Sequence, residues 1–178
     1  MFWRHKRLKR LRGIYNYMSI IPYDRTAAVD YARKWAYARN PKYADFSHIG
    51  GDCTNFISQC LVAGGMPMNF STPLGWYFSS LGNRSAAFSG VQFLYNFLTN
   101  SSDHRRGPFA QECEISRLEI GDIIQLSAGG ESFTHSLLVV QSGSDPHIAT
   151  HSFDAFDRAL SSYNFAAVRC LHITGGYH

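Results

Sequence analysis

Four cysteines stand at positions 53, 60, 113 and 170, and the first opens an apolar run in the stretch GGDCTNFISQCLVAGG, residues 50–65. A thiol is weakly nucleophilic until it ionises, and the free N–H groups and partial positive charge of a helix N-terminus favour ionisation. Asp52 stands where an N-cap belongs. Gly50 and Gly51 let another molecule's backbone come close, so a carbonyl can reach both the Cys53 sulfur and the first helical N–H. Cys60, two turns on between Ile57 and Leu61, reads as a small core residue. Taken alone, a cysteine at a helix start is more often packing than chemistry.

A nucleophilic cysteine needs a base, and the chain has eight histidines. His5, His104 and His178 fall in polar or terminal segments. His135 begins the apolar run HSLLVV, where a hydrophobe is expected. His151 ends the next strand-like segment, HIATHSF, so a hairpin between the two would bring it beside His135. One histidine would then act as base and the other would fix its orientation and tautomer. A zinc site built from Cys53, His135 and His151 has no C-x-x-C or H-x-x-x-H spacing behind it, and no metal or cofactor is expected. The even cysteine count permits disulfides without arguing for them.

These side chains must be positioned by a fold. Residues 24–39 place Ala28, Tyr31, Ala32, Trp35 and Ala38 at helical spacing, with Asp24 as cap and Asn40-Pro41 as stop. A second, short and buried helix starts at Cys53 and ends at Gly64-Gly65. Residues 66–87 read as an irregular loop carrying the aromatic cluster GWYF, and residues 89–99 return to helical spacing. Four short β-rich segments follow, at 120–126, 133–141, 147–153 and 167–173. Helices first and strands second indicate an α+β domain, with N-terminal helices packed on a C-terminal antiparallel sheet.

At 178 residues the chain suits one domain with its own core, and no run of apolar residues is long enough to cross a membrane as a helix. The net charge of +4 is concentrated: residues 1–12, MFWRHKRLKRLR, hold six of the 17 basic residues and no acidic one. This divides the chain into a basic tail, 1–22, and a globular domain, 23–178. The tail suits an anionic surface, with Phe2, Trp3, Leu8 and Leu11 on one side of a short cationic helix. Nothing marks a specific nucleic-acid partner, and a monomer is expected. No secretory signal is recognisable, which leaves the location open between the cytoplasm and release along a non-signal route.

The order of these parts is familiar. A helix-start Cys53, Gly121-Asp122 opening a strand, the strand-borne His135 and a polar residue on the next strand resemble the papain-like fold of bacterial cell-wall peptidases and amidases. The stretch DCTNF is similar to the Asp-Cys-Ser-Gly-Phe motif of the NlpC-type endopeptidases. From about Tyr23 to Ile173, RNPKYADFSHIGGDCTNFISQCLVAGGMPMN, GWYF, GDIIQL, HSLLVV and ATHSFDAFDRALSSY resemble the bacterial putative amidase domain family. The resemblance implies Cys53 as nucleophile, His135 as general base and His151 in the third position, with Asp154 as rival. Together they would form a thiolate–imidazolium pair that hydrolyses an amide through a thioester, with a peptide or peptidoglycan-like substrate. An acyltransferase or transglutaminase-like enzyme and a silent binding module are the alternatives. The oxyanion hole would use the Cys53 N–H. The upstream glutamine of papain-like proteases is absent, which leaves Tyr43 or Ser47 as second donor. Asp52 and Trp76 are expected to border the substrate, Trp76 as a wall of the cleft or else as a cover of the core.

Overall fold

The computed structural model describes residues 20–100 and 106–178. The basic stretch 1–12 lies outside the described residues. The first helix, α1 (Arg25–Trp35), begins where Asp24 Oδ1 accepts the Ala27 N–H at 2.9 Å, and it buries Ala28, Val29 and Ala32. It stops four residues short of the expected Arg39, because Arg39 is drawn into an ion-pair cluster described below. The second helix, α2 (Cys53–Ala63), is buried along every residue from Cys53 to Leu61. It is therefore a core rod with no solvent face over that length, and Gly65, at φ +88°, turns the chain out of it.

Two small elements and two helices fill the middle of the chain: β2 (Phe78–Ser80), β3 (Asn83–Arg84), α3 (Ala86–Ser89) and α4 (Val91–Thr99). The main sheet is antiparallel and has seven strands. These are β1 (Ile20–Ile21), β4 (Gly107–Cys113), β5 (Ile123–Ser127), β6 (His135–Gln141), β7 (His147–Thr150), β8 (Ala155–Ala159) and β9 (Ala167–Tyr177). They run in the order β1-β9-β5-β6-β7-β8, with β4 on the other side of β9. The architecture is α+β, as the sequence indicates. Ile20 and Ile21 pair with Tyr177 and Gly176, so the folded unit already includes residue 20, earlier than the expected start at 23.

The sheet separates two cores. On one face Phe56, Ile57, Cys60 and Leu61 of α2 pack with Ile123, Leu138, Ala149 and Leu171. On the other, Ile124, Leu126, Leu137, Val139, Ile148 and Cys170 are covered by Leu118, Leu160 and Tyr163. The alternation matters for the site: Leu137 and Val139 of β6 face away from α2, and Leu138 and Val140 face it. Among the described residues no helix is long and apolar enough to cross a membrane.

Candidate active site

The N-terminus of α2 abuts the start of β6 at one end of the sheet. There Gly50, Gly51, Cys53, Leu126, Ala128, Thr134, His135, Ser152, Phe153, Tyr163 and Asn164 border a cleft of about 330 Å³. Cys53 and His135 thus share a cavity, although they come from opposite sides of the sheet. The thiol is 6 % exposed. Burial raises its pKa; the backbone N–H of Ser136, the Thr54 hydroxyl and the Thr54 N–H favour the thiolate and oppose that effect. Thr54 Oγ1 stands 3.8 Å from the sulfur and 3.0 Å from Ser136 Oγ, which ties the first turn of α2 to β6.

His135 follows the alternation of β6. It shares the face of Leu137 and Val139, and its ring lies 6.2 Å from that of Tyr163. Its Nε2 is buried without a hydrogen-bond partner among the described residues, the thiol included. Burial lowers its pKa to about 4. Burial thus disfavours the charged form of both Cys53 and His135 and works against the thiolate–imidazolium pair expected from the sequence. The physical reason is desolvation of each charge with no direct contact to offset it.

Both candidates for the third position have partners other than His135. Leu138 pairs with Ala149, and Thr150 Oγ1 donates to the Ser136 carbonyl at 2.9 Å, so the ladder brings His151 level with Ser136 and onto the helix side of the sheet. His151 is 1 % exposed and stacks on Phe56 with centroids 3.9 Å apart. Its Nδ1 meets Asp52 Oδ2 at 2.6 Å, and its Nε2 donates to the Trp35 carbonyl at 2.9 Å. With both nitrogens engaged, the ring has none to offer His135 or a zinc ion. The rival Asp154 holds Arg39 with both oxygens, at 2.9 and 3.0 Å, and so does not orient His135 either.

Asp52 is fully buried and does not cap α2 with its side chain. Its Oδ1 accepts from the Phe46 N–H at 2.9 Å and from Asn55 Nδ2 at 2.8 Å, while Oδ2 meets His151 and lies 3.5 Å from Arg39 Nε. Its own N–H donates to Ser152 Oγ at 2.8 Å. The carboxylate thus pins the loop before Cys53, the end of β7 and the end of α1 together. Ser47 accepts from Arg39 Nη2 at 3.1 Å, and Tyr43 packs between Phe78 and Phe88; neither borders the cleft as an oxyanion donor. Trp76 is fully buried, with Nε1 donating to Ser58 Oγ at 3.0 Å, so it covers the core and forms no wall. The wall is supplied by Phe153, 85 % exposed. Ser152 and Phe153 both sit at left-handed φ, 61° and 80°. The sequence pattern carries the strand through Phe153, whereas the strand ends at Thr150 and the chain turns. A separate apolar cavity of about 240 Å³ between Leu74, Phe93, Phe97 and Phe109 has no cysteine, histidine or carboxylate in its lining.

The family follows from a match that spans nearly all of this architecture: residues 22–173 fit the model described as the putative amidase domain. The chain belongs to that family. At this level it is a putative amidase domain. A relative in Bacillus subtilis (strain 168), the uncharacterized protein YhbB, is 35 % identical over 138 residues, which are 75 % of this chain and 42 % of the relative. The chain therefore spans less than half the length of that relative. No solved structure matches it.

Proposed function

We propose that this amidase domain hydrolyses an amide of a peptide or peptidoglycan-like chain with Cys53 as nucleophile and His135 as general base, on a papain-like arrangement of helix-start cysteine and strand-borne imidazole. The observation that carries the reading is the cleft shared by the Cys53 thiol and an imidazole whose buried Nε2 has no hydrogen-bond partner among the described residues. A neutral pair works if proton transfer accompanies attack. Substrate entering the cleft turns the ring from Tyr163 towards the sulfur, His135 accepts the thiol proton, and the sulfur adds to the carbonyl carbon. The Cys53 N–H, first in the helix and without an intrahelical acceptor, faces the developing oxyanion. The tetrahedral species expels the amine, which takes the proton from His135 and leaves a thioester. Water, deprotonated by the same imidazole, releases the acid and restores the thiol.

In this reading His151 and Asp52 are positioning residues: they fix the loop that presents Cys53. Phe153 offers an apolar face at the rim to a side chain or sugar ring of the substrate. Anchoring of an anionic wall polymer or membrane by the basic segment 1–12 belongs to the same proposal.

The test is release of new amino groups from purified peptidoglycan sacculi, read with an amine-reactive chromophore. Wild type is expected to release amines, Cys53→Ala to release none, and His135→Ala to be slower by roughly 100-fold or more. Full release by Cys53→Ala sinks the nucleophile. Absence of release by the wild type removes peptidoglycan as the substrate. The mechanism is then read separately, by whether His135→Ala slows iodoacetamide modification of Cys53 relative to Cys113 in the same molecule.

A further inference from the structure

Two thiols outside the cleft meet across the sheet. Cys113, the last residue of β4, and Cys170, within β9, are direct partners in the antiparallel ladder. Directly opposed residues share one face, and their Cα atoms stand about 4.5 or 5.5 Å apart according to the kind of pair; both spacings fall inside the span that a disulfide bridges. The shared face is the one away from α2, where Cys170 is part of the second core and Cys113 packs against it. The remaining cysteines have no such relation, since Cys53 and Cys60 are two turns apart on one helix, roughly 10 Å, beyond bridging distance.

Access and order of reaction also differ between the two. Cys113 is half-buried and borders a polar cleft with Glu112, Glu114, Arg117 and His172. Cys170 is buried; burial first, and then the neighbouring Cys113, push its pKa up to about 12. A small reagent therefore reaches Cys113 first, and Cys170, directly opposite it in the ladder, is placed to resolve the mixed disulfide, at a rate that rises with pH because its raised pKa keeps most of it protonated.

We propose that Cys113 and Cys170 are a modification site of the folded protein, joined as an intramolecular cross-strand disulfide by exchange with a low-molecular-weight disulfide such as oxidised glutathione. The Cys113 thiolate attacks one sulfur of the reagent and expels a thiolate, forming a mixed disulfide. The Cys170 thiolate then attacks the Cys113 sulfur and expels the second. The protein loses two protons and two electrons, and one oxidised glutathione leaves as two of reduced glutathione. The bridge closes a covalent loop that contains β5 to β8, and hence His135, Ser152, Phe153 and Tyr163, and leaves Cys53 outside it.

The experiment uses the full chain with Cys53→Ser, so that the cleft thiol takes no part and the result is independent of any catalytic role for it. After oxidised glutathione at mildly alkaline pH, the intact mass is expected to fall by two hydrogens. In denaturant without reductant, iodoacetamide then finds one thiol, Cys60, and a non-reducing peptide map joins the Cys113 and Cys170 peptides. Adding Cys113→Ser abolishes the mass loss and the joined peptides. Alkylation of both Cys113 and Cys170 after oxidation, or arrest at a glutathione adduct on Cys113, overturns the proposal. The same map of the oxidised wild-type chain gives a second reading that does not depend on how the Cys53 variant folds.

Discussion

The chain builds the same knot twice. In each, a left-handed glycine precedes a fully buried aspartate that binds a histidine Nδ1 and lies beside an arginine: Gly51-Asp52 with His151 and Arg39, and Gly121-Asp122 with His172 and Arg25. Asp122 accepts from the N–H groups of Glu119 and Ile173 at 2.9 Å, much as Asp52 does from Phe46, and each aspartate anchors an element's start to distant strands. They differ in what stands next. Asp52 precedes a thiol in a cleft, whereas Asp122 precedes Ile123, a core residue. An Asp–His pair is thus no dyad in itself. The remote copy shows that the motif is a fastening, and that chemistry depends on what it fastens. His135 is the contrasting histidine, since no carboxylate lowers the cost of charging it.

The largest effect should separate the two knots. Asp52→Asn removes the acceptor of a histidine that is 1 % exposed, and breaking a buried pair of this kind costs about 3–5 kcal/mol. Asp122→Asn leaves Arg25 and His172, 19 % and 28 % exposed, to recover solvation, and should cost about 2–3 kcal/mol. Urea unfolding measures both. Iodoacetamide modification of Cys53 in the folded proteins should change by an order of magnitude in Asp52→Asn and stay within about twofold in Asp122→Asn. Equal changes in Cys53 reactivity would dissolve the distinction.

The next effect sets His135 against the two partnered histidines. Its folded pKa of about 4 lies below the ordinary 6.5, so between these values the unfolded chain binds a proton that the folded chain does not. Stability is then full above pH 6.5 and falls as pH drops towards 4, with no further loss from this group below that. The loss is about 2 kcal/mol, the shift being discounted for the ring's partial exposure. Wild type and His135→Gln should therefore diverge in urea midpoint across this window and run parallel above pH 7. Parallel curves throughout would mean that His135 is not held neutral by burial.

The limits of reading this sequence have the same geometric origin. The helix start at Cys53 is legible because flanking glycines and an apolar run are contiguous around DCTNFISQC. The strands β5 to β7 were legible through their apolar residues and turns. His151 was placed beside His135 because both lie on neighbouring strands, yet which face each side chain takes depends on register, and a shift of one residue reverses it. The observed register puts His151 with Ser136 and sends its ring to Asp52. Strand β4 was not seen because Pro108 and the polar Gln111 and Glu112 break the pattern; as an edge strand, paired only with β9, it tolerates them. Trp76 and Tyr43 carry residue types common in binding sites, and only tertiary packing shows that both serve the core.

The smallest effect tests the glycines of the two knots. Gly51 at φ +107° and Gly121 at φ +83° each lose conformational ease on replacement by alanine, at about 1 kcal/mol. The surroundings then differ. A Cβ at Gly51 meets Ser152 Oγ at 3.3 Å, whereas one at Gly121 meets the Tyr23 ring at 3.0 Å, and that ring's hydroxyl donates to the Gly121 carbonyl. Gly121→Ala should therefore be the less stable protein by a further increment of up to about 1 kcal/mol. Gly51→Ala, the milder change for folding, pushes on the hydroxyl that accepts the Asp52 N–H, one residue from the thiol. Thermal midpoints should rank Gly51→Ala above Gly121→Ala, while Cys53 alkylation rates should rank them the other way. A variant at Gly121 that slowed Cys53 as much as one at Gly51 would show that the two fastenings act as one.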